Sequence, residues 1–129
     1  MPTVPPARHR EFFDVLRDAD ARGAWRTLPT AGAPLGELIL ADDFDAVARR
    51  GSRTRLVRWA PGALLPDPVL HDFHEEVFVV DGAFVVGCDA RGEGGETFGP
   101  CTYACRPPGI LHGPFASRTG CTLLEFMYW

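Results

Sequence analysis

Along most of this chain apolar and polar residues alternate with a period of two, the mark of half-buried strands. The stretch RTRLVRWA over 53–60 shows it and closes on Pro61-Gly62, a turn dipeptide. Residues 75–80 (EEVFVV) form a second extended run, followed by Asp81-Gly82. That dipeptide predicts a β-hairpin, with 83–88 as the return strand. Further strands are expected over 25–28, 35–40, 102–106 and 121–128, with a turn of helix over 42–48 and a Gly-rich loop over 91–95. One segment has helical spacing instead. Over 8–22, Phe12, Phe13, Val15, Leu16 and Ala19 recur on one face, and Gly23 stops the run. The chain therefore divides into a tail with a short helix, 1–24, and a β body, 25–129. Short strands punctuated by Pro and Gly predict an all-β antiparallel sandwich or barrel.

Composition agrees with that pattern and removes several functions. The 14 Gly and 12 Pro make the chain turn-dense. Its 129 residues, 46% hydrophobic, suffice for one core. The net charge of −4, with no basic cluster, excludes a nucleic-acid partner. No apolar run is long enough for a membrane span, and the start, Met1-Pro-Thr-Val-Pro-Pro, lacks a signal core. A cytoplasmic location is expected. All 13 basic residues are Arg, so Schiff-base and P-loop chemistry are excluded; Asn is absent, and with it glycosylation. The two serines, Ser52 and Ser117, sit in no nucleophile elbow. The cysteines, Cys88, Cys101, Cys105 and Cys121, form no C-x-x-C pair and are expected to be small buried hydrophobes, Cys101 and Cys105 sharing strand parity toward one cavity.

The chemistry that remains is carried by histidine. His9 lies in the tail. The other three fall in two turn-associated segments, Pro61-Gly62 followed by His71-x-x-His74-Glu75-Glu76 and Gly82, and Pro107-Pro108-Gly109-Ile110-Leu111-His112. His and Glu clustered at strand ends inside a barrel point to a metal site.

These segments resemble the two motifs of the cupins. The first cupin motif runs Pro-Gly, a spacer, His-x-His, three or four residues, Glu, six residues, Gly. Here Glu75 and Gly82 keep the six-residue gap, and His71 matches the second His. The second motif, Pro-x-Gly-x-x-His, is met by Pro107, Gly109 and His112. The texture of residues 53–128 is most similar to the ChrR-like cupins. The resemblance implies a single jelly-roll barrel preceded by the short helix. It implies a divalent metal held by His71, Glu75 and His112, with Fe(II) the first expectation and Zn, Ni or Mn its competitors. One departure stands out: the position of the first motif His is Val69. His74, with Asp67 behind it, is the nearest replacement ligand. Glu76, by parity, should face away.

Arg58 and Tyr103 are expected to complete the site, Arg58 as a fixed cation for an anionic oxygen and Tyr103 as an acid or hydrogen-bond donor. Phe73, Phe84, Phe115, Phe126, Met127 and Trp129 would line the cavity or fill the core. The resemblance implies a metal-dependent enzyme acting on a small organic molecule, dioxygenase-like with a two-His, one-Glu site. Two alternatives stand beside it: a non-catalytic sensor that binds metal or ligand, and a metal-free barrel of cyclase or isomerase type. The apolar C-terminus, LLEFMYW, is expected to need a cover, which a homodimer would supply.

Overall fold

The computed structural model describes residues 8–129 and is almost entirely β. One helix, α1 (Val15–Arg22), precedes ten strands: β1 (Arg26–Leu28), β2 (Leu35–Asp42), β3 (Ser52–Trp59), β4 (Ala63–Leu65), β5 (His74–Gly82), β6 (Phe84–Val86), β7 (Glu96–Phe98), β8 (Tyr103–Arg106), β9 (Phe115–Ser117) and β10 (Cys121–Tyr128). They form a six-stranded sheet, β1-β2-β3-β10-β5-β8, and a four-stranded sheet, β4-β9-β6-β7. The strand pairings among the described residues are all antiparallel. This is the jelly-roll barrel of the cupins, and no described helix is long and apolar enough to cross a membrane.

The core lies between the sheets. Val57, Trp59, Val77, Val79 and Leu123 face Phe84 and Phe115. Strand parity decides which side each residue takes. In β10, Cys121, Leu123, Glu125 and Met127 point inward and the intervening residues outward. Burying Leu123, 1% exposed, contributes on the order of 2 kcal/mol.

Several local expectations need correction. The helix starts at Val15, not residue 8, because Asp14 caps it: its Oδ1 accepts from the Arg17 amide at 3.0 Å. Phe12 and Phe13 precede the helix and are exposed. Asp81-Gly82 does not make a hairpin, since β5 and β6 lie in different sheets. The chain instead turns a corner there. Gly82 has φ +80°, and an added Cβ would sit 2.2 Å from the Gly120 carbonyl oxygen. Strands β4, β7 and β9 were not predicted at all. The C-terminal strand is not at an edge: β10 is central, between β3 and β5, and Trp129 stacks on Phe44 at 5.1 Å, while Leu124 and Phe126 on its outer face stay half-buried. Two cysteines, Cys88 and Cys121, are buried as expected, but Cys101 and Cys105 are exposed. Cys105 alternates with the inward Ala104 and Arg106, so it faces outward and does not share a cavity with Cys101.

Candidate metal centre

Two loops meet at one end of the barrel, tied by backbone bonds. The Val69 amide donates to the His112 carbonyl at 2.7 Å, the His112 amide to the Val69 carbonyl at 2.9 Å, and the Gly109 amide to the His71 carbonyl at 2.9 Å. Gly109 takes φ +84° in the turn that follows Pro107-Pro108, a conformation glycine adopts without strain. The two motif segments, far apart in sequence, are thus bonded turn to turn. Their histidine rings lie 5.0 Å apart. Glu75, facing inward near the start of β5, lies between them.

The ligating atoms of His71, Glu75 and His112 all lie within 4.8 Å of one another. His71 Nε2 is 3.4 Å from Glu75 Oε2, and His112 Nε2 is 3.7 Å from Glu75 Oε1. His112 Nδ1 is 2.9 Å from the Ile110 carbonyl. A carbonyl only accepts, so Nδ1 carries a proton and Nε2, on the Glu75 side, is the ring atom placed to ligate a cation. Two ring nitrogens and a carboxylate oxygen thus converge within reach of one ion. Burial, with His112 beside it, holds the His71 imidazole below the usual histidine range and favours the neutral, ligating form. Phe73 stacks on the His71 ring at 4.4 Å and is itself packed edge-on by Phe44 at 5.1 Å and Trp129 at 5.7 Å. The donor set and its spacing fit a divalent ion bound through nitrogen and oxygen.

The surrounding charges fit it as well. A row of charges crosses the large sheet: Glu37, Arg55, Glu125, Glu75 and Arg106 on β2, β3, β10, β5 and β8, continued at the exposed edge by Arg26 of β1. Signs alternate except between Glu125 and Glu75, on neighbouring strands β10 and β5. Arg55 donates to Glu125 Oε1 through Nε at 3.0 Å and Nη2 at 2.8 Å, and its Nη1 bonds Glu37. Burial nevertheless pushes the Glu125 carboxyl above its usual value; Arg55 opposes the shift and the Glu75 charge adds to it. Two buried carboxylates on neighbouring strands repel, and a divalent ion at the three converging ligands would add to the compensation that Arg55 and Arg106 supply.

The three ligands, with Arg55, Arg106 and Glu125, line a cavity of about 160 Å³, walled by Trp59, Phe84, Phe115 and Val69 among others. Val69 is directly opposite His112 in an antiparallel bridge, so its side chain shares that face and offers hydrocarbon where a fourth donor would be.

His71, Glu75 and His112 therefore come together, and the remaining expected site residues do not join them. His74 has the opposite parity to Glu75; it faces outward and stacks on Tyr128 at 4.9 Å. Asp67 is exposed. Arg58 is exposed on the outer face, its guanidinium 4.1 Å above the Trp25 ring, which lies against Gly36 of β2. Tyr103, 57% exposed, donates to Glu76 on the same outer face, and that carboxylate holds its phenol well above the ordinary range. His9 pairs with Glu11 at 3.0 Å in the N-terminal segment. Phe126 faces outward, whereas Phe84 and Phe115 line the cavity. Sequence reasoning missed Arg55, Arg106 and Glu125. Strand parity groups them with the apolar Val57 and Trp59, Ala104, and Leu123 respectively, a signal that does not by itself say which face is inside.

Comparison with known proteins agrees with the fold. Residues 16–127 match the family model described as the ChrR cupin-like domain. No curated protein matches the chain. Among solved structures, an RmlC-like cupin from Shewanella frigidimarina is similar at 16% identity, with TM-score 0.62, over 95% of this chain and 93% of that one. An acetylacetone dioxygenase from Acinetobacter johnsonii is similar at 19% identity and TM-score 0.63, over 99% and 80%. A sugar phosphate isomerase of the cupin superfamily from Silicibacter pomeroyi reaches 27% identity and TM-score 0.56, over 74% and 59%. With both motifs meeting at one barrel mouth and the family model spanning nearly the whole β body, the chain belongs to the ChrR cupin-like family.

Proposed function

We propose that His71, Glu75 and His112 hold one divalent metal ion and that the protein is an enzyme acting on a small organic molecule, dioxygenase-like with Fe(II). The observation that carries this reading is the convergence of two imidazoles and a carboxylate, their ligating atoms all within 4.8 Å of one another, in the barrel's cavity. When bound, such an ion supplies Lewis acidity toward substrate oxygens and, as Fe(II), the capacity for chemistry with dioxygen. The protein's own residues do the rest. Val69 leaves one side of the cluster free of a protein donor, which makes room for substrate. Trp59, Phe84 and Phe115 exclude water and confine the substrate to a few heavy atoms. Arg55 orients Glu125, whose raised carboxyl is suited to hold or return a proton.

The test is elemental analysis of protein purified without added metal, followed by oxygen uptake with phenolic and 1,3-dicarbonyl compounds. The fold likeness to an acetylacetone dioxygenase prompts the second group. Stoichiometric metal with substrate-dependent oxygen uptake is the expected result. Metal without turnover would favour the non-catalytic sensor, and protein without metal would favour the metal-free cyclase or isomerase barrel. We also propose a cytoplasmic homodimer. The half-buried Leu56, Phe78, Leu124 and Phe126 on the outer face of the six-stranded sheet support pairing. Sedimentation velocity tests it.

A further inference from the structure

A second cavity opens beside the first, where the edge strand β8 of one sheet approaches β6 and β7 of the other. It measures about 200 Å³ and is walled by Val79, Val86, Phe98 and Ala104. Val77, Phe84 and Arg106 border both cavities. Arg106 is the one charged residue bordering the apolar cavity, and its side chain is only 14% exposed.

The two interior arginines of the barrel are not equivalent. Arg55 has Nε and both terminal nitrogens committed to Glu37 and Glu125. Arg106 makes one hydrogen bond among the described residues, a long one of 3.4 Å from Nη1 to Glu75 Oε1. Its guanidinium otherwise lies over the Phe115 ring at 5.3 Å. A guanidinium has five N–H donors in a fork that matches a carboxylate. The other N–H donors of Arg106 meet no acceptor among the described residues, and at the border of the two cavities they are available to a ligand. A metal drawing on Glu75 would weaken even the Nη1 bond. In the metal-site cavity, which Arg106 also borders, the Trp59 indole Nε1 is buried without a partner, a further donor unmatched by the described residues.

From this we infer that Arg106 is a substrate-binding residue that takes the carboxylate of a small organic acid, whose hydrocarbon group occupies the Val79, Val86, Phe98 and Ala104 cavity. The inference rests on the metal-site reading, of which it names the substrate class. An apolar cavity of about 150 Å³ holds a benzene ring, so one of about 200 Å³ suits a single ring or a chain of about five carbons. A neutral isostere of the acid could fill the apolar cavity but would leave the guanidinium unpaired, so charge sets the discrimination.

The experiment is calorimetric titration of the Zn-loaded, redox-inert protein with butanoate, hexanoate and phenylacetate, each against its primary amide, with metal content measured on the same samples. At least one acid should bind about tenfold or more tightly than its amide. Arg106→Gln should erase that preference by weakening the acid and not the amide, and Arg106→Lys should recover part of it. Ala104→Leu, which fills the apolar cavity and leaves the charge in place, should weaken hexanoate and phenylacetate more than butanoate. Equal affinity of acids and amides in the wild-type protein, or no binding of any, overturns the inference without recourse to a variant. Metal at full stoichiometry with no acid preference would remove this inference and leave the metal site standing. An Arg106-dependent acid preference in protein that cannot hold metal would do the reverse.

Discussion

Val69 and His112 are paired directly across an antiparallel bridge, amide to carbonyl in both directions at 2.7 and 2.9 Å. A residue so paired projects from the same face as its partner. The Val69 side chain therefore stands beside the His112 imidazole, at the position where the family motif carries its first histidine.

Replacing Val69 with His should add a donor in a position the backbone already supports. Metal affinity should rise by on the order of tenfold or more, read by chelator competition. Any turnover that needs the space beside Val69 should fall in the same variant. Unchanged affinity would mean that the bridge does not aim the residue at the cluster.

His112→Ala should abolish metal binding and leave the barrel folded, because His112 sits in a loop bridge and not in the packed interior of a strand. His74→Ala should leave metal content untouched, since that ring stacks on Tyr128 on the opposite face of the sheet. Metal content and circular dichroism of the two variants, side by side, check both statements. Equal loss in both would bring His74 back as a ligand.

Arg55→Met leaves two buried carboxylates, Glu37 and Glu125, without their shared guanidinium. Breaking a buried pair from one side costs about 3–5 kcal/mol. Urea denaturation of the variant should show a loss of that order. Arg58→Met, which removes only an exposed cation from the Trp25 ring, should cost about 1 kcal/mol or less.

Thiol reactivity should divide the cysteines by burial. Burial pushes the Cys121 thiol up to about 11, so at pH 8 only about one molecule in a thousand carries the thiolate there. Cys88 is also buried, whereas Cys101 and Cys105 are exposed. A disulfide reagent at pH 8 should therefore titrate two thiols rapidly in the native protein and four after denaturation. Rapid reaction of all four would contradict the burial of β10 between its neighbours.

What the amino-acid order determines here is whatever rests on local spacing. Glu75, seven residues before Gly82, and His112, three after Gly109, are placed by strand parity and short turns, which act over a few residues and need no partner strand. The β character of 121–128 and 53–60 is legible for the same reason. Parity, however, defines two faces without saying which is inside. In RTRLVRWA both faces carry arginine, so Arg55 inside and Arg58 outside could be told apart only once β3 lay between β2 and β10. There Val57 and Trp59 meet the second sheet and draw Arg55 inward with them. The same limit hides the charge row, whose members come from six strands spread over residues 26–125. Asp81-Gly82 shows it again. The dipeptide permits a tight reversal, but a three-residue strand gains more by joining β7 and β9 over the core than by pairing back onto β5, whose edges β10 and β8 already occupy. Strands β4, β7 and β9, three residues each, carry too little periodicity to read and exist because neighbours complete their hydrogen bonds. Sequence thus sets which residues the two motifs contribute. The stacking of two sheets, through competition for a limited interior, decides which charges join them there.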